Sequence, residues 1–351
     1  MRIAVVSPLI ESVPPRLYGG TERVVSYLTE ELVALGHEVT LFASADSRTS
    51  ARLVPCCERA LRLDGRVTDY TPHHLLLLQQ VYERAEEFDI IHFHIDYLHY
   101  PLFAGRPWKT VTTLHGRQDL WDPQPLYRKF PQMPLVSISQ AQREPLRHLP
   151  LRWAGTVHHG LPLDLYRPRE QHDGYALFLG RIAPEKRPDR AIRIARRAGV
   201  PLRIAAKVDR ADRRYFREVV EPLLREPEVV FLGEVDDRRK EALLAGAVAL
   251  LFPIDWPEPF GLVMIEAMAC GTPVVAWNCG SVPEIVEPGI TGAIVASEAE
   301  AVRALLELAT IDRRRIRARF EARFGAHRMA RDYLAIYERL AATARPQLSV
   351  A

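Results

Sequence analysis

Short β-rich runs alternate with amphipathic helical runs along this chain, and near residue 175 the alternation starts again from a new first strand. That rhythm constrains the fold more than any single residue does. Strand, helix, strand in steady succession demands a parallel sheet covered on both faces. The first run, Ile3 to Val6, ends at Ser7-Pro8. Beyond a loop rich in Pro and Gly, Val24, Leu28, Leu32 and Leu35 recur at three- and four-residue spacing, which predicts a helix stopped by Gly36. Further strands are expected at EVTLFAS, DIIHFH (89–94), TVTTLHG (110–116) and PLVSIS (134–139). The second series reads YALFLG (175–180), a helix from Pro188, then PLRIAAK (201–207), EVVFLG (228–233), VALLFP (248–253) and TPVVAW (272–277). A basic helical run covers 312–343.

The chain has 351 residues, and at about 150 residues per domain that length suits two domains. The expected boundaries are 1–165, 172–325 and a C-terminal helix at 326–351. The balance of 47 Lys and Arg against 44 Asp and Glu leaves a net charge of +3, which gives no reason to invoke nucleic acid. The longest nearly apolar stretch, residues 245–254, is about half of the ~20 residues that a bilayer span needs. The N-terminal MRIAVVSPLI lacks a small-residue cleavage site and reads as a buried strand, not a signal sequence. Cys56, Cys57, Cys270 and Cys279 lack paired metal spacing and read as reduced thiols of a cytoplasmic protein.

In open α/β sheets ligands bind beyond the carboxyl ends of the strands, so residues there are the candidates. Gly19-Gly20, with Tyr18 before and Thr21-Glu22 after, lie between the first strand and the first helix. Two glycines let backbone approach a ligand, and a helix amino end presents free N–H groups to phosphate or hydroxyl oxygens. The alternative is a plain βα turn, since neither a Walker loop nor a GxGxxG fingerprint follows. Arg181 and Lys186, in GRIAPEK, leave the second series' first strand. Together they could neutralise a diphosphate, or belong to a solvated loop in an Arg-rich stretch. Glu258 and Glu266 stand eight residues apart in EPFGLVMIE. Phe260, Gly261 and Leu262 would offer free N–H groups at a helix start. Glu266 falls among apolar residues and needs partners, which ribose hydroxyls could supply. The competing reading is one helix-dipole Glu and one surface Glu. His92 and His94 alternate on one strand and face one side; His115 closes another strand ahead of Gly116. An HxH pair can bind metal, but a third ligand at motif spacing is lacking and DxD does not occur. No metal site is expected, and His115 is the better candidate.

Together these residues resemble glycosyltransferase family 4, a retaining group with the GT-B fold. The resemblance rests on GGTE (19–22), DIIHFH, TLHG (113–116), SISQ (137–140), GRIAPEK, EPFGLVMIE, and GTPVVAW with GSVPEIV (271–277, 280–286). It implies two Rossmann-like parallel-sheet domains facing across a cleft, with the last helix crossing back onto the first domain. It implies a nucleotide-diphosphate sugar as co-substrate, with UDP favoured over GDP or ADP, and neither cofactor nor metal. By that resemblance Arg181 and Lys186 contact the diphosphate and Glu266 the ribose. Glu258, with the N–H groups of Phe260 and Gly261, binds the transferred sugar. His115 lies beside that sugar, and Gly20 approaches it or the phosphates. His94 and Asp96 are candidates for the acceptor side.

Two departures from the family's pattern stand out. His159-Gly160 replaces a common Asn-Gly near the linker, and Arg187 replaces a common Gly after the lysine. Neither is expected to touch the transfer chemistry. Rival readings are a GT-B epimerase, a phosphorylase needing pyridoxal phosphate, and a nucleotide-sugar-binding protein without catalysis. The basic segments 142–153 and 311–333 either bind an anionic membrane surface peripherally, on its inner face, or form solvated faces with paired arginines.

Overall fold

The computed structural model describes residues 1–16 and 19–344; Tyr18 of the glycine motif and 345–351 of the C-terminal segment lie outside the described residues. The chain divides into two compact units. One comprises Met1–Pro162 with the chain from Ala326 onward, the other Leu163–Gly325.

In the first unit, among the described residues, seven strands form one parallel sheet: β1 (Arg2–Val6), β2 (Glu38–Ser44), β3 (Arg52–Cys57), β4 (Ile90–Phe93), β5 (Thr110–Thr113), β6 (Leu135–Ser137) and β7 (Trp153–Thr156). Their order is β3-β2-β1-β4-β5-β6-β7. The order reverses between β1 and β4, whose register runs Ile3 with Ile90 through Val6 with Phe93. Such a reversal opens a crevice beyond the carboxyl ends of those two strands. Gly19-Gly20, His94 and Asp96 all follow those ends. The core beneath is continuous and apolar, with Phe42, Phe93, Phe103 and Leu114 fully buried.

The second unit repeats the plan, with β8 (Tyr175–Arg181), β9 (Leu202–Lys207), β10 (Val229–Gly233), β11 (Ala247–Phe252), β12 (Val274–Trp277) and β13 (Gly292–Val295) in the order β10-β9-β8-β11-β12-β13. Here the reversal falls between β8 and β11. Arg181 and Lys186 follow β8, and the Glu258–Gly261 loop follows β11.

The expected strands are present, most within a residue or two at their ends; β5 stops at Thr113, three residues short of the expected end, so His115 lies beyond the strand and does not close it. β3, β7 and β13 were not foreseen. All three are edge strands, and β3 carries Pro55, which a central strand would reject. Edge strands need no two-sided apolar pattern, so the hydropathy signal was missing. The basic run 312–343 is not one helix but two, Arg313–Arg323 and Ala326–Ala344, interrupted at Phe324-Gly325. Its arginines serve the fold. The buried Arg313 guanidinium donates to the carbonyls of Arg169, Ala245 and Ala247 at 2.7–2.8 Å, Arg314 pairs with Glu170, and Arg319 and Arg323 share Glu287. Arg143, of the other basic segment, lies 4.7 Å over the Trp153 ring. Among the described residues no helix is long and apolar enough to cross a membrane.

Candidate active site

In the second unit the loop after β11 is shaped by close backbone approaches. Gly261 has φ 79°, and a Cβ there would lie 2.9 Å from Met264 Cε and 3.1 Å from Phe252 Cζ. Only glycine fits such a left-handed, crowded position. It sits directly before the helix Leu262–Ala269, whose amino end has no side-chain cap. The first N–H groups of that helix therefore remain available to an anion or hydroxyl. From the following loop, Gly280 (φ 58°) presses on Glu258, where a Cβ would come within 2.4 Å of the Glu258 nitrogen. Ser281 N–H donates to the Glu258 carbonyl at 3.0 Å, and Ser281 Oγ donates to the Phe260 carbonyl at 2.8 Å. Gly280-Ser281 thus fixes the Glu258 loop, a role the sequence motif alone did not reveal.

Lys186 Nζ meets the Glu258 carboxylate in a short ion pair and lies 4.8 Å from the Trp256 ring centre. Trp256 Nε1 donates to the same Glu258 oxygen at 3.0 Å. Arg181, at the end of β8, pairs with Asp212 at 2.7 Å and Glu185 at 2.6 Å. So the structure brings Lys186, Glu258, Phe260, Gly261 and Leu262 into one neighbourhood, with Arg181 held by its own pair of carboxylates. Glu266 is buried inside the helix and not on the surface. Its Oε1 accepts from Lys240 Nζ at 2.6 Å and from the Tyr166 hydroxyl at 3.2 Å. Sequence reasoning missed Lys240 and Tyr166, which lie 26 and 100 residues from Glu266 and belong to no local motif.

In the first unit His94 and His115 are in direct contact: Nδ1 of His94 is 2.8 Å from Nε2 of His115. The ring of His92 lies 4.0 Å from that of His94. His92 is saturated, with Nδ1 2.6 Å from the Tyr337 hydroxyl and Nε2 2.7 Å from Thr113 Oγ1. His159 stacks on His115 at 5.4 Å with 17° between the rings. The turn that departs from the family's pattern thus packs a planar ring against His115. Burial pushes His115 down to about 3 and holds His92, His94 and His159 well below the ordinary imidazole range, so all four are neutral at pH 7. Asp96 has left-handed backbone, φ 51°, and desolvation raises its carboxyl to about 6.

Gly20 opens the helix Gly20–Ala34, with Gly19 at its cap. Glu22, in its first turn, is buried beside Glu11, and burial first, then the Glu11 charge, raises it to about 7. Glu11 itself is tied to Arg62. Among the described residues no group of three or more His, Cys, Asp or Glu is arranged to hold a metal ion, and the four cysteines are free thiols.

Two parallel-sheet α/β units, each with its candidate residues at the reversal of strand order, define the GT-B class of proteins. The chain belongs to glycosyltransferase family 4: the family described as Glycosyl transferases group 1 matches residues 167–323, and that described as Glycosyltransferase Family 4 matches 18–160. A D-inositol 3-phosphate glycosyltransferase of Mycobacterium tuberculosis (strain ATCC 25618 / H37Rv) is 33% identical over 190 residues, covering 48% of this chain and 39% of that protein. The match thus spans about two fifths of the length of that curated relative. AviGT4, a glycosyltransferase involved in avilamycin A biosynthesis, superposes with a TM-score of 0.73 at 25% identity over 97% of this chain and 98% of its own. Sucrose-phosphate synthase from Thermosynechococcus elongatus gives 0.79 at 19% identity, covering 98% and 100%. Anabaena HepE, solved with UDP and glucose, gives 0.72 at 19% identity, covering 95% and 98%. The last two are likenesses of fold.

Proposed function

We propose that this chain is a retaining glycosyltransferase that moves a hexosyl group from a nucleotide-diphosphate sugar, foremost a UDP-sugar, to a hydroxyl acceptor. The observation that carries this reading is the meeting of Lys186, Glu258 and the uncapped helix start at Gly261 at the strand reversal of the second sheet. An ammonium and free backbone N–H groups suit an anionic leaving group, and a carboxylate beside them suits sugar hydroxyls. Supporting it, relatives named as glycosyltransferases share the family, and HepE was solved with UDP-glucose.

In this reading the bond from the anomeric carbon to the phosphate oxygen breaks while the acceptor oxygen bonds to that carbon from the same face. The acceptor proton passes to a phosphate oxygen, and the nucleoside diphosphate departs. Negative charge grows on the diphosphate as the bond breaks. Lys186, Arg181 and the N–H groups at Gly261 and Leu262 stabilise it, and losing one such donor costs about 10²–10³ in rate. Arg181 and Lys186 exchange their carboxylate partners for phosphate oxygens on binding, so the charges are placed before the donor arrives. Gly19 and Gly20 let backbone approach the donor. Glu266, oriented by Lys240 and Tyr166, takes the ribose hydroxyls, and Glu258 the sugar hydroxyls. Asp96 belongs to the acceptor side, and His94, buried and bonded to His115, stands behind that residue and does not itself reach the acceptor.

No resident metal is needed for this charge stabilisation, so turnover is expected in EDTA. Complete loss on chelation, restored only by a divalent ion, overturns that part. Thermal shift with UDP, GDP and ADP tests the donor: UDP should raise the melting temperature most. Lys186→Ala should lower kcat by about 10²–10³ with the fold intact by circular dichroism. Near-normal turnover in Lys186→Ala and in Arg181→Ala ends the diphosphate assignment. Proton NMR of fresh product reads the anomeric configuration directly.

A further inference from the structure

We infer that His94 is a positioning residue that fixes the tautomer of His115, so that His115 meets its ligand as an Nδ1–H donor. The inference rests on the reading of His115 given above, but its first test does not.

The argument is one of proton placement. The contact between His94 Nδ1 and His115 Nε2 at 2.8 Å holds a single proton, because both rings are neutral. That proton belongs either to His94 or to His115. The other nitrogen of His94, Nε2, is buried and has no hydrogen-bond partner. If His94 carried its proton there, a buried N–H would be orphaned. Orphaned N–H donors are rarer in folded proteins than acceptors with an unused lone pair. His92, the ring packed on His94, cannot relieve it, because both His92 nitrogens are taken by Tyr337 and Thr113. His94 therefore keeps its proton on Nδ1 and donates to His115.

His115 Nε2 is then an acceptor, and its own proton is confined to Nδ1. Among these histidines His115 is the half-buried one, while His92, His94 and His159 are buried. Stacking of His159 fixes the plane of the His115 ring, and His94 fixes which edge carries hydrogen. The consequence is a ligand preference: the Nδ1 edge of His115 donates to a hydroxyl or phosphate oxygen and does not accept from a donor.

The full-length chain labelled with 15N at histidine reports the tautomers by long-range 15N–1H correlation at pH 7.5, with His115→Asn giving the assignment. In the wild type, His115 should show the proton on Nδ1. In His94→Leu it should shift toward the Nε2–H form. In His94→Asn, whose side-chain amide can stand in for Nδ1–H, the Nδ1–H form should return. In turnover, His94→Leu should lower kcat at least about tenfold, as a wrong tautomer does in other His-dependent sites, with KM for the donor little changed, and His94→Asn should recover most of the loss. A wild-type His115 carrying its proton on Nε2 overturns the inference, as does a tautomer unmoved in His94→Leu. If His94→Leu does not fold, the wild-type and His94→Asn spectra still decide. If no donor is turned over, the transferase reading fails while the tautomer result stands.

Discussion

Arg187 occupies a backbone position made for glycine. Its φ of 55° and ψ of 49° are left-handed, which costs a residue with a Cβ roughly 1–2 kcal/mol. Its guanidinium offsets this by pairing with Asp189 at 3.1 Å and Asp255 at 2.8 Å, on either side of the turn that leads into the helix at Pro188. Arg187→Ala keeps the strain and loses the pairs; Arg187→Gly loses both. Chemical denaturation should therefore find the glycine variant more stable than the alanine variant by about 1 kcal/mol, and the reverse order would refute the strain argument. Glu22 gives a second residue-scale prediction. Its folded pKa, about 7, lies above the unfolded value of 4.5. Its stability contribution is complete below pH 4.5 and is lost as pH rises through 7. Glu22→Gln mimics the protonated form, so it should raise the melting temperature at pH 8, by an amount worth on the order of 1–3 kcal/mol, and change it little at pH 4.5. Equal effects at both pH values would contradict the burial of a charge there.

At the scale of elements, the Glu258 loop depends on its neighbour. Gly280→Ala would drive a Cβ into Glu258 backbone, where the ideal contacts are 2.4 and 2.5 Å. Backbone cannot yield as a side chain can, so the loop after β11 must shift, at a cost of about 1–3 kcal/mol. Nucleotide affinity, read by calorimetry, should fall together with stability, whereas Ser281→Ala should lose only the Phe260 tether. Unaltered affinity in Gly280→Ala would show the loop to be held by other means. This dependence marks the limit of what the chain discloses by inspection. The parallel strands β1, β4, β8 and β11, and the glycines and carboxylates beyond them, were legible because apolar runs and turn residues are local signals. The partners of those residues were not. Lys240 reaches Glu266, Gly280 reaches Glu258 and His159 reaches His115 only because the fold brings distant segments together. Asp96 and His94 showed as neighbours beyond one strand end, but the hydrogen bond between His94 and His115, which lies past the end of β5, has no signature in spacing.

Across the whole molecule, ionisable burial is unevenly divided. Of the twelve histidines, only His172 lies in the second unit. The first unit holds His92, His94, His99, His115 and His159, each pushed down by burial. A group with a lowered folded pKa binds its proton more readily when unfolded. Its stability contribution is therefore complete above the unfolded value of about 6.5 and is lost as pH falls below it. At about 1.4 kcal/mol per group per pH unit, five such groups outweigh Glu22 and Asp96, which are raised to about 7 and 6 and act in the opposite direction. The first unit should thus weaken by several kcal/mol between pH 7 and pH 5, while the second, lacking buried imidazoles, should change far less. Hydrogen exchange at pH 5 and 7.5, corrected for the intrinsic rate, reads this unit by unit. Amides of β1, β4 and β5 should lose protection at the lower pH and those of β8, β11 and β12 should keep theirs. Uniform loss across both sheets would mean that the two units unfold as one cooperative body and that the histidine cluster does not set its own threshold.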